Sequence, residues 1–212
     1  FHTVIFPSTL LGTNQPYTLL HHISTTEYLN YESGKFSKSR GTGVFGNDAR
    51  DSGIPASVWR YYLLSNRPEA NDSIFTWDDF AAKVNSELLA NFGNFINRTV
   101  KFCSMKMEGR LGEFTLEQAD HDFINKVNEQ LREYTECMEA VKLRAGVKSV
   151  MSISALGNQY LQDCRLDNKL LQSNPERCQT VIAVAINLCY LLSAISEPFL
   201  PSTSDDICKI LH

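Results

Sequence analysis

The stretch TWDDFAAKVNSELLANFGNFINR, residues 76–98, decides how the chain folds. Thr76-Trp77-Asp78-Asp79 reads as a helix start, with Asp79 standing where a capping box usually carries Glu. Phe80, Val84, Leu88, Phe92, Phe95 and Ile96 then recur at helical spacing, which predicts one long helix with its apolar face turned inward. On the other side Glu87, Asn91, Asn94 and Arg98 follow at steps of four, three and four. At about 100° per residue these four fall within roughly 60° of one another. Such a polar stripe is either a solvated face or a surface for splayed single-stranded bases. An amide offers both a donor and an acceptor, and a guanidinium can stack or fork.

Downstream the helical period continues. Phe123, Val127, Leu131, Tyr134, Met138 and Val141 recur at steps of three and four, the cleanest such pattern in the chain. Another helix is expected over about 145–161, and Asn174-Pro175-Glu176 caps one that runs to about Ile195. Pro198 and Pro201 end it. A last short helix is expected after Ser204, with Asp205-Asp206 as charges at its N-terminus, as Asp78-Asp79 are for the first. Amphipathic helices joined by short loops make a bundle.

Upstream the punctuation is dense. Thr3-Val4-Ile5-Phe6-Pro7 reads as a short buried strand or turn, and residues 25–31 alternate as a strand does. Pro55 fits the first residue of a helix lined by Val58, Tyr61 and Tyr62 and ending near Asn66. Between them lies ESGKFSKSRGTGVFG, residues 32–46, where Lys35, Lys38 and Arg40 stand among serines and four glycines with only Glu32 opposing them. Hydroxyls and backbone N–H groups near Gly34, Gly41 and Gly43 can approach phosphate oxygens, and two lysines three apart can reach different phosphates. The same composition also describes a solvated basic turn. It is not a Walker A loop, since G-x-x-x-x-G-K-[ST] is absent.

The 212 residues are 43% hydrophobic and 21% charged, ordinary for a chain with a real core. A net charge of −4 excludes coating nucleic acid by bulk electrostatics, so any such contact must come from local basic patches. The six cysteines form no C-x-x-C pair and suit a reducing cytosol. No metal site is expected, and His21, His22, His121 and His212 do not cluster with carboxylates. No signal peptide or membrane-spanning run is recognised, and Val181–Ile195 reads as a buried helix rather than a membrane partner. The chain opens on Phe1-His2 rather than Met, so its natural start is expected to lie upstream.

Lys35-Phe36-Ser37-Lys38-Ser39 resembles the K-M-S-K-S signature of class I aminoacyl-tRNA synthetases, with Phe for Met. The flanks sharpen the likeness. TEYLNYESGKFSKSRGTGVFG (26–46), DSGIPASVWRYYLLSNRPE (51–69) and NSELLANFGNFINR (85–98) resemble methionyl-tRNA synthetases of the eukaryotic cytosolic type, from the first residue to the last. The resemblance implies the α/β end of a class I, Rossmann-like nucleotide-binding domain followed by an all-α anticodon-binding helix bundle. The expected divisions are 1–46 for the catalytic end, 47–76 for a connecting segment and 77–212 for the anticodon-binding domain.

By the same resemblance the chain is part of a cytoplasmic methionine–tRNA ligase. Lys35 and Lys38 would hold the phosphates of ATP, brought with Mg2+ as substrate, while methionyl-adenylate forms. Phe36, Ser37 and Ser39 would shape and anchor the loop, and His2 would stand beside the methionine. Asn94 and Arg98 would contact the CAU anticodon of tRNA(Met). The family's stacking tryptophan aligns near Leu166-Asp167 in GNQYLQDCRLDNKL (157–170), where no aromatic stands, which leaves Asp167 as a third anticodon candidate. The family's H-I-G-H signature does not occur. This segment is therefore expected to need an N-terminal catalytic half and to form no adenylate alone. Two other readings stay open: a non-catalytic tRNA-binding module with a relic phosphate loop, and a class I synthetase for an aliphatic amino acid.

Overall fold

Two aromatic-rich cores, joined by one short helix, organise the chain. The computed structural model describes residues 1–32 and 34–211. Ser33 and His212, a histidine expected to hold no metal, lie outside the described residues. The elements run α1 (Ile5–Gly12), β1 (Leu29–Tyr31), α2 (Gly46–Asp51), α3 (Ala56–Ser65), β2 (Ser73–Phe75), α4 (Trp77–Lys83), a π-helical stretch (Val84–Gly93), α5 (Asn94–Lys106), α6 (Gln118–Glu139), α7 (Leu143–Asp163), α8 (Asn168–Ser173), α9 (Pro175–Ser196) and α10 (Pro201–Ile210). The fold is a small α/β end followed by a helical bundle.

In the first core β1 and β2 pair in parallel, Leu29 opposite Ser73 and Tyr31 opposite Phe75. Phe75, Tyr62 and Phe80 are buried there, with Tyr31, Phe36 and Trp59 packed around them. Trp59 stacks on Phe75 at 6.0 Å between ring centroids, and Trp77 meets Phe75 edge-on at 5.2 Å, so both tryptophans are structural. Helix α3 links the two cores. Tyr62 faces the aromatic cluster, while its neighbour Tyr61 faces the bundle.

The bundle core is built from the faces the periodicity marks. Phe92, Phe95 and Ile96 meet Val147, Val150 and Ile153 of α7 and Leu188 and Leu192 of α9. Gly157 allows the closest crossing: a Cβ there would stand 2.7 Å from both Leu188 and Phe95. Helix α9 is long and apolar enough to cross a membrane, contrary to the expectation that no run was, but most of it is buried within the bundle. It starts on Pro175, with the Asn174 side chain accepting from Arg177 N at 3.0 Å.

One polar cluster sits inside this apolar frame. Asp120, 0% exposed, accepts from both terminal nitrogens of Arg177 on α9 at 2.6 and 2.8 Å and from the Tyr160 hydroxyl on α7 at 2.6 Å. It also caps its own helix by accepting from Glu117 N at 2.9 Å. Burial alone would raise the Asp120 carboxyl. The hydrogen bonds from Arg177 and Tyr160 outweigh burial and hold it below the usual carboxylate range.

Several expectations need correction. Thr3–Pro7 is not a buried strand, because α1 runs through Pro7 and its neighbours are exposed. Pro7 is the third residue of that helix, where its missing N–H costs nothing, and no strand lies beside it among the described residues. The alternating run 25–31 pairs only over its last three residues, the length of its partner β2. Helix α10 begins at Pro201, so Asp205 and Asp206 lie mid-helix, where both are ion-paired with Lys209.

Asp120→Ala leaves the Arg177 guanidinium without its principal partner and is expected to cost about 3–5 kcal/mol in urea unfolding. The Asp120 carboxyl is depressed on folding. Its contribution is therefore full above the unfolded value of about 4 and is lost as pH falls through the lower folded value, which the same titration repeated at decreasing pH will read.

Candidate nucleotide and RNA sites

The basic loop is a folded turn with a half-buried anchor. Ser37 and Thr42 exchange backbone hydrogen bonds at 2.8 and 3.0 Å, which closes a hairpin around Lys38, Ser39, Arg40 and Gly41. Ser37 and Ser39 hydroxyls stand 3.4 Å apart. Phe36 points into the aromatic cluster, 5.3 Å from the Tyr31 ring and 6.1 Å from Phe45. Gly43, at φ +133°, makes room for it, since a Cβ there would lie 2.4 Å from the Phe36 ring. The cations remain outside. Lys38 and Arg40 are exposed, and Lys35 lies over the Tyr28 ring at 5.8 Å. Hydroxyls, turn amides and free ammonium groups on an anchored loop can receive a polyphosphate at little ordering cost.

The loop's anchor is tied to the start of the long helix. The Trp77 indole donates to the Tyr31 hydroxyl at 3.2 Å, and Trp77 N donates to the Glu32 carboxylate at 3.1 Å. Thr76 caps that helix by accepting from Asp79 N at 3.1 Å. Asp79 itself accepts from Tyr62 and Asn66 at 2.7 and 2.9 Å, and burial together with that bond pushes the Tyr62 hydroxyl up to about 12.

The polar stripe divides. Over Val84–Gly93 the chain winds as a π-helix, wider than the 3.6-residue turn on which the stripe was projected. Glu87 is turned inward and accepts from the Tyr61 hydroxyl. Burial, then this bond, drive the Tyr61 pKa well above that of a free phenol. Asn91 donates to Met151 O at 2.8 Å and accepts from Asn158 at 3.1 Å. Asn94 and Arg98, in the ordinary winding of α5, are exposed. Asn94 donates to Asn158 Oδ1 at 3.1 Å, while Arg98 opens onto a cleft of about 480 Å³. Asp167 lines that same cleft from the opposite wall. It also caps α8, its Oδ1 accepting from Lys169 N and Leu170 N, both at 2.8 Å.

His2 is exposed and meets only the edge of the Phe1 ring, at 5.9 Å, among the described aromatic contacts. A larger cleft, about 630 Å³, lies between Lys83, Glu87, Arg144 and Lys148. Its carboxylates are engaged within the protein, Glu87 by Tyr61 and Glu69 by Arg67 and the Arg144 amide. Among the described residues no three His, Cys, Asp or Glu side chains gather as a metal site requires. Sequence reasoning missed Asn158, whose amide joins the two asparagines of the stripe. It also missed Phe102, which lies in the Arg98 cleft one turn further along α5.

An anchored basic loop on an α/β end is thus joined to a bundle with a polar, cation-lined cleft. Residues 1–100 match the family model described as tRNA synthetases class I (M), and residues 112–212 match the anticodon binding domain of methionyl tRNA ligase. The chain belongs to the methionyl-tRNA synthetase family. It is 55% identical to a probable cytoplasmic methionine–tRNA ligase of Schizosaccharomyces pombe and 51% identical to the cytoplasmic methionine–tRNA ligase of Saccharomyces cerevisiae. Both alignments cover all of this chain and 28% of the relative, so the chain spans little more than a quarter of their length. The fold also matches a Mycobacterium tuberculosis methionyl-tRNA synthetase solved with methionyl-adenylate. The TM-score is 0.83 at 18% identity, over 98% of this chain and 41% of the other.

Gly43→Ala forces Phe36 out of its seat and is expected to cost about 1–3 kcal/mol locally. Hydrogen exchange at the Ser37 and Thr42 amides should then speed up about tenfold or more, with the bundle amides unchanged.

Proposed function

We propose that this chain is part of a cytoplasmic methionine–tRNA ligase, with residues 1–46 closing the ATP site, 47–76 connecting and 77–212 reading tRNA. One observation carries the reading. The anchored loop with Lys35 and Lys38 is hydrogen-bonded, through Tyr31 and Glu32, to the first residue of the helix that presents Asn94 and Arg98. A single rigid unit thus bears a phosphate-binding turn and a base-reading face.

In this reading ATP enters as its Mg2+ complex. A methionine carboxylate oxygen attacks the α-phosphorus, the bond to the β-phosphate oxygen breaks, and pyrophosphate leaves. Lys38 and Lys35 stabilise the charge that develops on the phosphate oxygens, with Ser37, Ser39 and the turn amides donating to them. His2 stands beside the methionine. A hydroxyl at the 3′ end of tRNA(Met) then attacks the adenylate carbonyl, and AMP departs. Asn94 and Arg98, with Asp167 across the cleft, read the CAU anticodon. An N-terminal catalytic half completes the site. The exposed apolar side chains of Phe1, Val4, Ile5, Phe6 and Leu11 support such a partner, since a surface of this kind is normally covered.

Lys38→Ala in the ligase that carries this segment is expected to lower ATP–pyrophosphate exchange by about 10²–10³-fold, the scale of losing one oxyanion-type donor. Its tRNA affinity should be unchanged. Unaltered exchange would leave the loop a relic on a tRNA-binding module. Arg98→Ala should instead lower charging of tRNA(Met) by about tenfold or more, with exchange intact.

A further inference from the structure

We infer that Glu32 is a positioning residue for adenylate formation: its carboxylate, bonded to the Trp77 amide, sets the angle at which the loop carries Lys35 and Lys38. The inference rests on the ATP-site reading of the loop and adds to it a residue that acts through the two lysines.

Within residues 32–46 Glu32 is the one acid beside three cations, so its expected use is as their countercharge. The structure sends the carboxylate elsewhere. It accepts from Trp77 N at 3.1 Å, and among the described residues it forms no ion pair with Lys35, Lys38 or Arg40. That N–H belongs to the first turn of α4, where backbone donors have no partner within the helix. Thr76 serves a second such donor, Asp79 N, at 3.1 Å. The root of the basic loop is thereby part of the cap of the helix that leads on to Asn94 and Arg98. The lysines keep their charge for phosphate.

Glu32 is also held in a backbone conformation that favours glycine. Its φ is +48°, and a residue of this kind persists there only where its surroundings fix it. Here they do. Glu32 N donates to Phe75 O at 2.8 Å, beside the Tyr31–Phe75 pair of the sheet. The Tyr31 hydroxyl accepts from the Trp77 indole at 3.2 Å, and Tyr31 and Gly34 exchange backbone hydrogen bonds at 2.7 and 2.9 Å. Lys35 follows directly after Gly34. A change of backbone angle at Glu32 therefore swings Lys35 and, through the hairpin closed by Ser37 and Thr42, Lys38 as well. Lysines that stabilise a transition state must meet its charge as it develops, and a misplacement of about 1 Å can cost about 10²-fold. A loss felt only in the transition state lowers kcat and leaves KM unchanged.

The test is a set of variants in the ligase that carries this segment, read by kcat and by KM for ATP in ATP–pyrophosphate exchange. Glu32→Ala should lower kcat about tenfold and leave KM for ATP within about twofold. Glu32→Gln keeps an oxygen to accept from Trp77 N, so its kcat should stay within about threefold of the unaltered enzyme. A countercharge predicts otherwise. Ala and Gln would then act alike, each lowering KM for ATP by freeing the lysines, and that result overturns the inference. Glu32→Ala made on top of Lys38→Ala should add less than about threefold, since the residue acts through the lysines. An equal cost in both backgrounds marks a general loss of structure and also overturns it. If Lys38→Ala lowers exchange and Glu32→Ala does not, positioning fails and the ATP-site reading stands. If Lys38→Ala has no effect, that reading fails and the inference with it.

Discussion

The Asp120 carboxylate is the point on which the bundle's geometry depends. It lies at the start of α6 and is gripped by Arg177 of α9 and Tyr160 of α7, so three helices share one charge. Taking such a charge out of water costs several kcal/mol, and an apolar trio of similar volume could hold helices together as well. What the apolar trio lacks is direction. Two guanidinium bonds and one phenol bond, with Phe123 stacked on Tyr160 at 4.2 Å between centroids, fix where α7 ends relative to α9. The turn carrying Leu166 and Asp167 begins there, and it forms one wall of the cleft whose other wall is α5.

The second constraint runs through α3. Tyr61 and Tyr62 are adjacent in sequence but bury their rings in different cores, and each hydroxyl donates to a carboxylate of the long helix: Glu87 from one, Asp79 from the other. The segment between the α/β end and the bundle is therefore pinned to residues 77–93. The basic loop enters the same frame by Phe36. Movement of the bundle against the loop would break tyrosine–carboxylate bonds and aromatic packing together.

The sequence made some of this legible and concealed the rest for physical reasons. Lys35–Ser39 could be read because the chemistry is local: cations, hydroxyls and glycines stand in one short run. The helices of the bundle could be read because burial imposes a period. Helix α8 and strand β2 are too short to show one. The π-helical winding left no mark, and within the projected stripe Glu87, Asn91 and Asn94 hydrogen-bond within the protein while Arg98 opens onto the cleft. Asp120 and Arg177 are 57 residues apart, each unremarked in the first turn of its own helix, so only the fold reveals that they are partners. Phe102 reads in sequence as one more apolar residue of a helix. Its place in the cleft comes from the neighbour it is given, not from its own spacing.

The bundle's role as a reader of anticodons stands or falls on discrimination by the chain itself. The direct measurement is its affinity for tRNA(Met) and for the same tRNA with GAU in place of CAU, at one fixed salt concentration, since phosphate contacts alone respond to salt and not to base identity. If Asn94, Arg98 and the cleft read the anticodon, the change should weaken binding about tenfold or more, the scale of one lost base contact. Equal affinity for the two tRNAs would contradict it.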